Sequence, residues 1–126
     1  MEHVLFFDGD EKRISWTIQT DNSIIYQKRE HAEIYLNKVS NLQSKYIGLH
    51  IGLFWAIGTF IIKNEDIVKI AIVDKLIFDH LSLNKKSDDE FIEKRTFFIR
   101  QFIEQRNLKI KYELIPSEKN LAAKKN

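Results

Sequence analysis

The chain has 126 residues, of which 44% are hydrophobic and 30% are charged, as expected for a single globular domain with an apolar core. It contains no cysteine, which excludes disulfides, thiolate zinc sites and thiol nucleophiles. The net charge of +2 is compatible with a nucleic-acid partner but is too small to identify one.

Three strands are predicted within the first 30 residues. Residues 4–8 form an apolar run that ends in acidic residues, which is typical of a buried strand. Residues 13–20 alternate between apolar and polar side chains, and residues 23–29 resume a strand pattern after the turn signal Asp21-Asn22. The second and third strands should therefore form a hairpin. Residues 32–39 fit either an extension of the third strand or the start of a helix.

A central helix is predicted over residues 44–61. Residues 46–62 carry no formal charge, yet the run is a little short for a membrane span and has Lys45 and Lys63 beside it. A helix buried on most of its circumference explains the run better, so no membrane partner is expected. Gly48, Gly52 and Ala56 recur every four residues, and this stripe predicts close packing against a sheet.

The second half of the chain predicts alternating strands and helices. A buried strand at 68–72 precedes a short helix at 74–81 with Asp74 as its N-cap. The spacing Ser87-x-x-Glu90 predicts a capping box that starts an amphipathic helix, which Asn107 would end. A strand at 108–115 and a short closing helix at 120–124 would follow, with residues 119–126 forming a partly frayed tail.

This order predicts one α/β domain spanning residues 1–126. Three antiparallel strands followed by two parallel ones would form a five-stranded mixed sheet with helices on both faces.

Several short strings in this order resemble the ribonuclease H family. Residues 6–10, F-F-D-G-D, resemble the family's opening strand, and residues 44–53, S-K-Y-I-G-L-H-I-G-L, resemble its central helix, A-E-Y-x-A-L-x-x-G-L. Residues 70–77 resemble the next strand and turn, and residues 120–123, N-L-A-A, resemble the closing N-x-x-A-D segment. The resemblance covers about residues 4–124 and implies the ribonuclease H-like fold.

The resemblance also implies where metal-binding carboxylates should lie. Family enzymes hold two magnesium ions between four carboxylates and cleave phosphodiesters. Asp8 matches the first ligand, whereas Lys45, Val73 and Lys124 stand at the other three positions. The chain is therefore identified as a degenerate member in which Asp8 is the one matching metal ligand. Asp8, Asp10 and Asp74 would be the catalytic set, with Mg²⁺ or Mn²⁺, only if activity remains; otherwise no cofactor is expected.

Three functions follow from these patterns. The first is a non-catalytic module that binds an RNA–DNA hybrid or a duplex through basic side chains. The residues predicted to contact nucleic acid are Lys12, Arg13, Lys45, Lys85, Lys86 and Lys124. The second is a protein-interaction scaffold that forms a homodimer through exposed apolar surface. The third is a divergent metal-dependent ribonuclease that cleaves the RNA strand of hybrids. The absence of cysteine and of a signal-peptide pattern favours a cytoplasmic location.

Overall fold

A computed structural model describes residues 1–123 and contains five strands and three α-helices in that range. In chain order these are β1 (Glu2–Gly9), β2 (Arg13–Thr20), β3 (Ser23–Glu30), α1 (Asn41–Gly58), β4 (Ile67–Ile72), α2 (Lys75–Ser82), α3 (Glu90–Gln105) and β5 (Lys109–Leu114), followed by a 3₁₀ turn (Ser117–Lys119). The sheet order is β3-β2-β1-β4-β5. β1, β2 and β3 are antiparallel, and β4 and β5 run parallel to β1, which confirms the predicted mixed sheet.

Helices α1 and α2 pack against one face of this sheet, and α3 packs on α1. Strand side chains at alternate positions point toward them and build one continuous apolar core with the inner faces of α1, α2 and α3. Its buried members include Leu5, Trp16, Leu49, Ile70, Ile77 and Ile99. Burial of side chains of this kind is the main favourable term in folding.

The C-terminal segment covers part of the opposite face. Phe6 and Ala71 point away from the helices and form a second buried cluster with Ile115 and Ala122. The layering is therefore uneven, with three α-helices on one side and the short 3₁₀ turn on the other. Residues 120 and 122 are buried, so the frayed tail predicted from 119 onward is packed as far as the described chain extends.

Helix α1 begins three residues before its predicted start. The Ser40 hydroxyl accepts a hydrogen bond from the Gln43 N–H, and the Gln43 side-chain oxygen accepts one from the Ser40 N–H, which together form a capping box. The preceding residues 33–38 form turns rather than a strand or a helix, with Asn37 in the left-handed region at φ 58°. Within residues 1–123 we find no helix with the length and apolar character that crossing a membrane requires.

Helix α3 begins at a different cap from the predicted one. Asp89 is the N-cap, and its carboxylate accepts hydrogen bonds from the Phe91 and Ile92 N–H groups. The Ser87 hydroxyl instead accepts from the Asp89 N–H. The capping-box prediction at Ser87 was wrong because an aspartate two residues later reaches the free N–H groups of the first turn directly.

Helix α1 lies unusually close to the sheet along its small-residue stripe. A Cβ at Gly48 would lie 2.7 Å from the Asp8 carbonyl oxygen, and a Cβ at Gly52 would lie 2.9 Å from the Trp16 side chain. Ala56 is fully buried in the same row. The predicted close packing is confirmed, and Gly48 holds the helix at the end of β1.

We predict that Gly48→Ala destabilises the protein, whereas Gly58→Ala does not. The new methyl group at 48 collides with backbone and should lower the free energy of unfolding by about 1–3 kcal/mol, despite the better helix propensity of alanine. Gly58 lies in the same helix, and nothing lies within 4 Å of its added Cβ. Urea unfolding of both variants measures the difference, and equal stabilities would contradict the close approach.

Candidate functional site

A small cleft opens at the carboxyl ends of β1 and β4. It has a volume of about 170 Å³, and its walls come from four parts of the chain. The residues around it are Phe7, Asp8, Lys45, Ile72, Val73, Asp74, Ile77, Ser117, Asn120 and Ala123. The fold thus brings together Asp8, Lys45 and Asp74, three of the residues that the sequence singled out.

Lys45 and Asp74 form an ion pair across this cleft. The Lys45 Nζ lies 2.7 Å from Asp74 Oδ2, and the two side chains are 25% and 36% exposed. Asp74 occupies the N-cap position of α2, as predicted, but its carboxylate makes no capping hydrogen bond and turns to the ammonium group instead. An ion pair this exposed contributes about 1 kcal/mol or less, so it can open without endangering the fold.

Asp8 is the second-last residue of β1. Its position is two and four residues after Phe6 and Val4, so its side chain lies on the same face of the sheet as theirs, opposite the helices. Its Oδ1 accepts a hydrogen bond from the Gly9 N–H at 2.9 Å. Asp8 is therefore a partly exposed carboxylate that faces the cleft from the strand side.

Asp10 does not join the other two carboxylates. Its Oδ1 accepts hydrogen bonds from the N–H groups of Lys12 and Arg13 at 2.8 and 2.9 Å, so that it closes the turn between β1 and β2. Burial raises the pKa of Asp10, but these two backbone donors and the nearby Arg13 and His31 charges outweigh it and leave the pKa below its usual value. The geometry assigns Asp10 to the turn and not to the cleft.

The C-terminal segment forms the third wall of the cleft. The Asn120 amide donates to the Phe7 carbonyl at 3.1 Å, and its oxygen accepts from the Ala122 N–H. The Ser15 hydroxyl donates to the Ala122 carbonyl at 3.0 Å. These bonds hold the segment against β1 and β2 directly before residue 124. Lys124 itself, predicted to contact nucleic acid, lies outside the described residues.

The remaining predicted basic residues lie outside the cleft, in two other parts of the chain. Lys12 and Arg13 follow the β1–β2 turn, with Arg13 partly buried. Lys85 and Lys86 line a second cleft together with Tyr46 and Leu76, so both clefts are walled by α1 and α2. The structure therefore places all the described basic candidates on the surface, near the ends of α1 and α2 or on the β1–β2 turn.

A buried histidine that the sequence analysis did not select supports the turn. His31 is 7% exposed, and its Nε2 lies 2.9 Å from the Asp10 carbonyl oxygen and 2.7 Å from the Ser44 hydroxyl. Ser44 is itself fully buried beneath Gly9. These contacts fix the turn to the first turn of α1. The sequence could not predict the contact between His31 and Ser44, because the two residues belong to separate segments that only the fold brings together.

The described residues do not fit a divalent metal ion. The Lys45 ammonium lies 2.7 Å from Asp74 Oδ2, where it occupies one of the two carboxylates of the cleft and repels a second cation. No group of three or more metal-binding side chains occurs anywhere in residues 1–123. We therefore derive no metal-dependent step.

Comparison with known proteins identifies the fold. No protein-family model and no curated protein matches the sequence. Among solved structures, RNase H1 from Halobacterium salinarum NRC-1 superposes with a TM-score of 0.75 at 15% identity and covers 95% of this chain and 89% of its own. The N-terminal RNase H domain of a Mycobacterium tuberculosis protein, solved as a maltose-binding-protein fusion, gives 0.74 at 20% identity, with coverages of 94% and 85%. LC11-RNase H1, solved in complex with an RNA/DNA hybrid, gives 0.69 at 18% identity, with coverages of 94% and 88%. The chain has the RNase H-like fold, as the sequence predicted.

We predict that Lys45→Glu makes the cleft a better manganese site. The substitution would place a third carboxylate in the cleft with Asp8 and Asp74, and should strengthen Mn²⁺ binding at least about tenfold, because affinity follows the number of charged oxygen ligands. Lys75→Glu is the matched control, since Lys75 is 76% exposed on α2 and lies outside the cleft. Isothermal titration calorimetry measures the affinities. Tight Mn²⁺ binding by the natural chain would show that the cleft already holds a metal.

Proposed function

We propose that this protein is a non-catalytic RNase H-like module that binds nucleic acid, either an RNA–DNA hybrid or a duplex. The observation that carries the proposal is the Lys45 ammonium group, which lies in the cleft at the ends of β1 and β4 and pairs with Asp74 at 2.7 Å. A cation at this position favours phosphate oxygens as a ligand, because it attracts them without a bridging metal.

The ion pair with Asp74 determines how readily Lys45 can bind phosphate. In the free protein Asp74 neutralises the ammonium, so a phosphate has to compete with this carboxylate for the same donor. Both side chains are partly exposed, so the cost of exchanging one oxyanion for another is small. Lys45 is then available for phosphate whenever the backbone of a duplex lies across the cleft.

The flanking basic residues extend the surface that a duplex would follow. Lys12 and Arg13 lie on the β1–β2 turn, and Lys85 and Lys86 lie in the connection between α2 and α3. Contacts of this kind with phosphate position a duplex without reading its sequence, and they weaken as salt rises. The solved structure of LC11-RNase H1 with an RNA/DNA hybrid supports the choice of ligand, since the two folds superpose over most of both chains.

We predict that Lys45→Gln weakens hybrid binding and that Asp74→Asn strengthens it. Each change should alter the dissociation constant by about threefold at low salt, because the first removes a phosphate donor and the second removes its competitor. Glu113→Gln is the matched control for Asp74→Asn, since Glu113 also pairs with a lysine, Lys69, at 2.9 Å but away from the cleft. Fluorescence anisotropy with a labelled RNA–DNA hybrid at several salt concentrations measures all three variants.

The same experiment separates the proposal from the other two predicted functions. Absence of hybrid binding at low salt, together with a dimer in sedimentation equilibrium, would assign the fold to a homodimeric scaffold. Mn²⁺-dependent cleavage of the RNA strand that disappears in Asp8→Asn would assign it to a nuclease. An equal gain in affinity for Asp74→Asn and Glu113→Gln would show that binding responds to net charge alone and not to the cleft.

A further inference from the structure

A third cavity lies between α1, α3 and the loop before α1, and it shares no lining residue with the cleft. It has a volume of about 420 Å³ and is lined by Tyr35, His50, Phe91, Lys94, Arg95 and Phe98. Four of these residues present aromatic rings and two carry a positive charge, whereas no carboxylate belongs to the lining. The loop before α1 supplies Tyr35, α1 supplies His50, and α3 supplies the remaining residues.

The guanidinium of Arg95 organises this cavity. It donates to the Tyr35 hydroxyl at 2.5 Å and to His50 Nδ1 at 2.9 Å, and it lies 5.3 Å from the ring centres of both Tyr35 and Phe91. The bond from arginine requires an unprotonated Nδ1, so the His50 proton sits on Nε2. Burial and the adjacent Arg95 lower the pKa of His50 to about 4, which keeps this ring neutral at physiological pH.

Arg95 therefore has no anionic partner. Its hydrogen-bond acceptors are both neutral, and none of the salt bridges formed within residues 1–123 involves it. A guanidinium has five N–H donors, of which these contacts use two. A partly buried cation without a compensating charge is unfavourable, which makes the cavity receptive to an anion.

The surrounding rings indicate which kind of anion fits. Phe98 is stacked on His50 at an interplanar angle of 8° and remains 37% exposed, so part of the ring is available to a ligand. Aromatic side chains beside Lys and Arg are the combination with which proteins hold unpaired nucleotides, because bases stack on the rings while cations contact phosphate. Lys94 is exposed at the edge of the same cavity.

We propose that this cavity, the Arg95 pocket, binds an unpaired nucleotide, with the base against Phe98 and the phosphate against Arg95 and Lys94. The ligand is either a free mononucleotide or one unit of a single strand, which share this chemistry. The proposal does not rest on the function proposed for the cleft, since the two sites have no lining residue in common.

Single-strand binding by surface variants tests the pocket without disturbing the core. The probe is fluorescein-labelled oligothymidylate of eight nucleotides at low salt, measured by fluorescence anisotropy. Phe98→Ala should weaken binding about fivefold or more through lost stacking, and Lys94→Gln should weaken it by a smaller factor. Phe97→Ala is the matched control, because Phe97 is the adjacent residue on α3, is 61% exposed and does not line the pocket.

Competition identifies the source of the ligand. Displacement of the strand by millimolar UMP would assign the pocket to free mononucleotides, and resistance to UMP with displacement by unlabelled strand would assign it to single strands. Equal binding by Phe98→Ala and Phe97→Ala would overturn the proposal. Equally effective displacement by an acidic peptide of the same charge would also overturn it, since recognition would then depend on charge without stacking.

Arg95→Gln provides a second, independent readout. Removal of the guanidinium should weaken strand binding about fivefold or more, because a phosphate donor is lost, and it should also lower the urea midpoint, because the hydrogen bonds to Tyr35 and His50 are lost. Unchanged strand binding by folded Arg95→Gln would contradict the proposal. Lys45→Gln is measured with the hybrid and Phe98→Ala with the single strand, so failure of the cleft hypothesis and failure of this one are distinguishable.

Discussion

The close approach of α1 to the end of β1 is the constraint on which the rest of the structure depends. Gly48 lets the helix backbone reach the Asp8 carbonyl, and Gly9 lets the strand pass beside Ser44 in return. Because both contacts involve backbone, neither yields to a change of rotamer. Lys45 lies about one helical turn before Gly48, so this approach carries its ammonium group to the mouth of the cleft, within reach of Asp74, the second residue after β4. The chemistry of the candidate site is therefore a consequence of two missing side chains.

The charges of the cleft follow from that geometry. The carboxyl ends of β1 and β4 are neighbours because the two strands are parallel, so Asp8 and Asp74 meet at one edge of the sheet. Both carboxylates line one cleft, and the Lys45 ammonium reaches Asp74 there from the helix side. In a site with more carboxylates, a divalent metal ion could neutralise them in the same way. Here the cation is covalently part of the chain, and it remains able to exchange partners because it is partly exposed.

The fold was predictable from sequence because each element carried its own signal. The alternation in β2, the Asp21-Asn22 turn and the uncharged run of α1 each specified one element, and their order specified the sheet. Tertiary pairing was not predictable in the same way. Asp10 was predicted to join Asp8 in one set of carboxylates. Its carboxylate instead accepts hydrogen bonds from two backbone N–H groups of the following turn. The predicted start of α1 was three residues too late because the Ser40–Gln43 capping box, which marks the start in the structure, precedes the apolar run on which the prediction rested.

A comparison of two cations shows why the structure adds information that motifs cannot. Lys45 and Arg95 are both partly buried, and both lie in cavities that have α1 as one wall. The lysine was visible in the sequence because it replaced an expected glutamate, yet its charge is already neutralised by Asp74. Arg95 could not be selected from the sequence because Tyr35, His50 and Phe91 come from separate segments, yet no carboxylate within residues 1–123 forms a salt bridge with it. The structure thus distinguishes the two sites by their countercharges. An anion in the Arg95 pocket would supply a missing negative charge, whereas an anion in the Lys45 cleft would have to replace Asp74.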